Sequence, residues 1–248
     1  MLTRNKYILL IILLVFVKQS GIIAQHTRLT QNASVYNVLL VNSDSLYGAN
    51  DKLVNGSLYD PLHSMAAGHP YYPKESFQVG DIAVLGEIFT GEKIKFNIEL
   101  QKLVLKKLIS KGATTEILLN NTLVDSFSIR NKKFINLFFL PLADSLQGFA
   151  EVIFDGEFGF YAYHKKIFKD DYTRKTPYGR YQELSPRYFL IMNQNVKTIR
   201  KKRDFLKIFK GQRKEIRKFM KKQNIKYKNA SSSELARILK YGEKNIGK

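Results

Sequence analysis

There is no cysteine in this chain of 248 residues. That absence excludes a disulfide framework, a thiol nucleophile and a lipid anchor built on a processed cysteine, so the fold must stand on its core alone. Familiar catalytic signatures are missing as well. The sequence holds no Gly-x-Ser-x-Gly elbow, no Ser-x-x-Lys with the other elements of a penicillin-binding enzyme, no HExxH and no glycine-rich phosphate loop before a helix. The carboxylate pairs Asp155 and Glu157, or Asp170 and Asp171, are explained more simply as turn residues. No cofactor or metal is expected from these patterns.

A long apolar run is the third absence. The N-terminal run from Tyr7 to Val17 has eleven residues, short of the about 20 that hold a helix across a bilayer. It follows Arg4 and Lys6 and precedes Lys18, the charged-then-apolar order of a secretory signal. Ala24 supplies a small residue before a cut, so residues 1–24 read as a signal peptide and the mature chain as starting at Gln25. The alternative is an uncleaved anchor, against which the run length argues. After cleavage no transmembrane segment is expected. Export of a cysteine-free chain points to a periplasmic or outer-membrane-associated protein of a Gram-negative bacterium.

What the chain does have is positive charge, placed unevenly. Lys and Arg number 41 against 21 Asp and Glu, a net +20. Residues 25–194 hold 19 cations and 17 anions, a balance of +2, whereas residues 195–248 hold 19 and 4, a balance of +15. Two regions follow: a β-rich part over 25–199 and a basic helical part over 200–248.

The nearly neutral region shows short apolar stretches separated by turn residues at roughly 8 to 12-residue intervals, the pattern of an antiparallel sheet. Strands are predicted at Asp81–Glu87, Ile94–Leu100, Lys102–Leu108, Glu116–Leu119, Thr122–Ile129, Phe134–Leu140, Phe149–Phe154 and Phe158–His164. Thr90-Gly91-Glu92, Lys111-Gly112, Asn120-Asn121, Asn131-Lys132 and Asp155-Gly156 suit tight hairpins between them. In Ile94 to Leu100 every second residue is apolar, so Lys95, Asn97 and Glu99 are expected to face water. Phe134 to Leu140 is apolar except for Asn136, which predicts a central strand covered on both faces, or else a lipid- or partner-facing surface. Val35 to Val41 reads as a first strand, residues 167–186 as an exposed loop, and Arg187–Met192 with Val196–Ile199 as a last hairpin.

In the basic region Phe205, Leu206, Ile208, Phe209, Ile216, Phe219 and Met220 form an apolar stripe at helical spacing, with Gly211 as a break between two short helices. Ser231-Ser232-Ser233-Glu234 is a capping box in front of a third helix carrying Leu235, Ile238 and Leu239. The stripe is expected to face the β-region and leave the cations outside. Arg200, Lys201, Lys202, Arg203, Arg213, Lys214, Arg217, Lys218, Lys221 and Lys222 are the candidate contact surface. Such a run is either a solvated face or a surface for an anionic envelope component or an acidic protein partner. Nucleic acid is the weakest partner for an exported chain, and none is expected.

The loop with Asp60, His63, His69 and Glu75 is where an enzyme acting on an envelope polymer would keep its chemistry. The competing reading is a rigid turn, because Gly68-His69-Pro70-Tyr71-Tyr72-Pro73 surrounds the histidine with prolines and tyrosines.

Ile23-Ala24-Gln25 at the signal end, Gly68-His69-Pro70-Tyr71 before a β-run, the Phe134 to Leu140 strand leading to Gly148-Phe149-Ala150-Glu151-Val152, and the closing Lys/Arg-rich helices together resemble a family of exported Bacteroidota proteins without an assigned activity. The resemblance implies export and a β-then-helix order, and it carries over no functional residues. The expected fold is α+β: an antiparallel β-sheet domain, as a meander, sandwich or partial barrel, followed by a short C-terminal basic helical region.

Overall fold

A computed structural model describes residues 52–110, 113–140, 146–193 and 195–246. The segment 1–24 expected to be a signal peptide, the strand expected over Val35 to Val41 and the Lys111-Gly112 turn lie outside the described residues.

Among the described residues fourteen strands form: β1 Gly56–Leu58, β2 Tyr71–Tyr72, β3 Gln78–Val84, β4 Glu87–Asn97, β5 Lys102–Ser110, β6 Ala113–Leu119, β7 Val124–Ile129, β8 Lys132–Asn136, β9 Phe149–Asp155, β10 Gly159–Tyr163, β11 Lys166–Lys169, β12 Arg180–Glu183, β13 Arg187–Met192 and β14 Asn195–Ile199. Twelve make one sheet in the order β1-β6-β5-β4-β3-β7-β8-β9-β10-β13-β14, with β2 paired to β4. Every pairing between these strands is antiparallel. β11 and β12 form a separate hairpin.

The sheet must curl, and chain length says why. β6 ends at Leu119 and β7 begins at Val124, five steps that span at most about 18 Å. Three strands separate β6 from β7, which in a flat sheet is about 19 Å. Curling brings β3 to β9 around one interior, where Ile82, Phe96, Leu105, Leu119, Phe127, Phe134 and Phe149 pack together. The Lys166 N–H donates to the Ile98 carbonyl and the Gln101 side-chain amide to the His164 carbonyl, tying the end of β4 to the segment after β10. The sheet is nevertheless open, with β1 and β14 as its edges.

Three α-helices of the described residues follow the sheet: α1 Lys202–Leu206, α2 Arg213–Lys222 and α3 Ser232–Ile246. Gly211, at φ +80°, sits between α1 and α2 in the left-handed conformation that glycine adopts without strain. Ser231 Oγ accepts from the Glu234 N–H and Glu234 Oε2 from the Ser231 N–H, so the capping box starts α3 as the sequence indicates. Phe205, Leu206, Phe209, Ile216, Leu235 and Ile238 are buried against Ile153, Phe160, Leu190 and Ile199 of β9, β10, β13 and β14. The helices are therefore docked, and the α+β architecture stands as expected.

Several details differ. Thr90-Gly91-Glu92 lies inside the eleven-residue β4, and the turn before it is Leu85-Gly86, both residues with positive φ. Asn120-Asn121 does not close a hairpin, because β6 pairs with β5 and β1 whereas β7 pairs with β3 and β8; turn chemistry alone does not say where the next strand lands. Asn97 is buried, its Oδ1 accepting from the Glu99 and Leu100 N–H groups to end the strand. The run from Phe134 to Leu140 is strand only to Asn136; Leu137–Phe139 is a 3-10 turn that leaves Phe138 and Phe139 exposed at 74% and 55%. The segment read as an exposed loop, 167–186, contains most of the β11–β12 hairpin.

Candidate functional site

Side-chain alternation builds the basic face. With the apolar stripe of α1 and α2 turned into the sheet, all ten predicted cations from Arg200 to Lys222 are exposed. None of them is ion-paired among the described residues. Three of the nearby carboxylates serve backbone donors: Asp204 accepts from the Lys201 N–H, Glu234 from that of Ser231 and Glu243 from that of Glu157, which leaves Glu215 as the exposed acidic residue of α2. The positive field is thus left largely uncompensated on this side.

Beside that face lies a groove of about 960 Å³ between the β13–β14 pair and the turn linking α2 to α3. Six cations line it: Arg187, Arg200, Lys201, Lys202, Lys226 and Lys228, with no carboxylate among the lining residues. Its apolar lining includes Leu146, Pro186, Tyr188, Ile199, Ile225 and Tyr227. Tyr188 stacks on Phe160 at 5.7 Å and Tyr227 packs on Phe205 at 5.0 Å, so both rings are held by the core. The Tyr227 hydroxyl is buried without a hydrogen-bond partner among the described residues, and burial, with Tyr188 and Asp204 adding to it, pushes its pKa up to about 12. Arg200, Lys201 and Lys202 were expected to act with Arg203 and the α2 cations; the structure places these three in the groove and the α2 cations outside its lining. Arg187, Lys226 and Lys228 escaped sequence reasoning because β13 and the α2–α3 turn meet only in the folded chain.

A second polar cluster was also invisible in the sequence. Along one face of β9, Phe149 enters the interior of the curled sheet, Ile153 lies under the helices, and Glu151 sits between them. Glu151 is 1% exposed. His164 Nε2 donates to its Oε2 at 2.7 Å, Lys132 Nζ bonds to its Oε1 at 2.9 Å, and the Tyr72 hydroxyl donates to Oε2 at 3.2 Å. Lys132 Nζ also donates to the Tyr72 hydroxyl at 2.6 Å and to Ser232 Oγ, in the first turn of α3, at 3.4 Å. Burial alone would raise the Glu151 pKa; hydrogen bonds from His164, Ser232 and Lys132 overcome it and hold the carboxyl at about 2. Burial would lower the Lys132 pKa, but bonds to Tyr72 and Glu151 move it upward instead. Each group has a partner, and the cluster joins the sheet to α3.

The histidine loop is packed. The His63 ring stacks on Phe168 at 3.6 Å, with Tyr181 edge-on at 6.5 Å. His69 Nδ1 accepts from the Tyr71 N–H at 3.2 Å, and burial, reinforced by Lys166, lowers its pKa. Asp60 and Glu75 are exposed. Among the described residues no group of three or more His, Asp or Glu side chains is placed to hold a metal ion. No helix among the described residues is long and apolar enough to cross a membrane. No family model, curated protein or solved structure matches the chain.

Proposed function

We propose that this is an exported, non-catalytic protein of the periplasm or cell envelope that binds an anionic envelope component through its basic helical face. The observation that carries this reading is the division of the helices: their apolar residues face the sheet, and ten exposed cations, without an ion pair among the described residues, are left outside. A surface of this kind attracts anionic lipid headgroups at the order of 1 kcal/mol per cation, within a Debye length of about 8 Å at physiological salt.

Sedimentation of the mature protein with vesicles tests the proposal. Anionic vesicles should bind and neutral ones should not, binding should weaken as salt rises, and replacing Arg213, Lys214, Arg217, Lys218, Lys221 and Lys222 by Gln should abolish it. Binding that ignores salt, or survives those six replacements, would reduce the α2 cations to a solvated face.

A further inference from the structure

We infer that the groove between β13–β14 and the α2–α3 turn is a discrete, stoichiometric site for a phosphorylated amphiphile. This rests on the reading of the basic face as the anion-binding side of the molecule, and it adds, beside the α2 cations, a separate site for one ligand class.

Two observations converge. Arg187, Arg200, Lys201, Lys202, Lys226 and Lys228 come from separate segments to line one concavity without a carboxylate. Like charges gathered in this way repel one another, and an anion seated among them removes that repulsion. A phosphomonoester matches the demand better than a carboxylate, because it brings a charge of about −1.5 to −2 and three strong acceptor oxygens. The apolar part of the lining is the second observation. Tyr188 and Tyr227 are held against Phe160 and Phe205, beside Leu146 and Ile225, and a hydrated inorganic anion makes no use of such a surface. The volume, about 960 Å³, is that of a small-molecule site, about 300–1,000 Å³ in general. A phosphoryl head among the cations with an apolar chain along the tyrosines satisfies both.

Titration calorimetry of the mature protein with water-soluble probes tests this without a membrane. The probes are inorganic phosphate, glycerol 3-phosphate, dihexanoyl phosphatidic acid below its micelle concentration, and dihexanoyl phosphatidylcholine as the neutral-head control. Phosphatidic acid should bind one to one and about tenfold or more tighter than either phosphate without acyl chains. The double variant Lys226→Gln, Lys228→Gln should weaken it about tenfold; both positions are exposed, so circular dichroism should show an unchanged fold. The α2 variant Arg213→Gln, Arg217→Gln, Lys218→Gln should leave it unchanged. Equal affinity for inorganic phosphate and phosphatidic acid, no binding of either, or indifference to the Lys226 and Lys228 replacements would overturn the inference. The two readings fail separately. Vesicle binding lost in the α2 variant, with no monomeric phosphatidic acid bound, defeats the groove alone. Monomeric binding without any salt-sensitive vesicle binding defeats the surface reading and leaves the groove standing.

Discussion

Acid should weaken the junction between the sheet and α3, and Glu151 sets the size of the effect. Its carboxyl ionises at about 2 in the folded protein, against an ordinary 4.5, because hydrogen bonds from His164, Ser232 and Lys132 outweigh the cost of burial. A carboxyl depressed in this way stabilises the fold above pH 4.5, and the contribution is lost as pH falls toward 2. At about 1.36 kcal/mol per pKa unit the depression corresponds to about 3 kcal/mol at neutral pH. About 2 kcal/mol of that has gone by pH 3, where the folded carboxyl is still mostly ionised and the unfolded one mostly protonated. Glu151→Gln keeps the size of the side chain but removes this titration. Urea unfolding of both proteins at pH 7 and pH 3 measures it. The native chain should lose about 2 kcal/mol more than the variant between the two pH values, since carboxyls elsewhere affect both alike. At pH 7 the variant should be weaker by about 3 kcal/mol, the loss expected when one partner of a buried ion pair is removed. Equal losses on acidification would mean that Glu151 is not held as an ion by its neighbours, and the junction would need another explanation.

Two further substitutions probe the docking of the helices. Phe205 is fully buried against Phe160, Phe209 and Tyr227, so Phe205→Ala should cost about 3–5 kcal/mol in urea unfolding; a cost below about 1 kcal/mol would imply that α1 does not pack on the sheet. Gly242 sits within α3, where alanine would ordinarily favour the helix by about 1 kcal/mol. A Cβ there would overlap the Phe209 ring and crowd Ile216, so Gly242→Ala should lower the melting temperature, and a rise would contradict the close approach of α3 to Phe209. With the vesicle and calorimetric experiments above, these changes test the helices from both their apolar and their charged sides.

Much of the fold was legible because it is local. Short apolar stretches between turn residues marked β5, β7, β9 and β10 within a residue or two, and helical spacing marked the stripe that buries Phe205, Phe209 and Ile216. Ser231 and Glu234 announced the start of α3 through their own backbone bonds. Even the exposure of the ten cations followed from local pattern, since a helix that turns its apolar stripe inward must present the opposite side to solvent.

Whatever depended on where strands land was not legible. Asn120-Asn121 is good turn chemistry whether the chain folds back on β6 or crosses to β3, and only the curl of the sheet chooses the second. Phe138 and Phe139 continue an apolar run but fall on a 3-10 turn, so their exposure is a product of backbone direction rather than of residue type. Tyr72, Lys132, Glu151, His164 and Ser232 have no common spacing. They meet because β8 pairs with β9 so that Phe134 faces Glu151, β9 pairs with β10, and α3 begins above them. The groove likewise needs β13, the end of β14 and the α2–α3 turn side by side. By itself the sequence determined the elements, their apolar faces and the excess of positive charge, because each is encoded within a few neighbouring residues. The tertiary structure alone decided the Glu151 junction and the cationic groove, because both are made of contacts between segments whose separation along the chain carries no repeating signal.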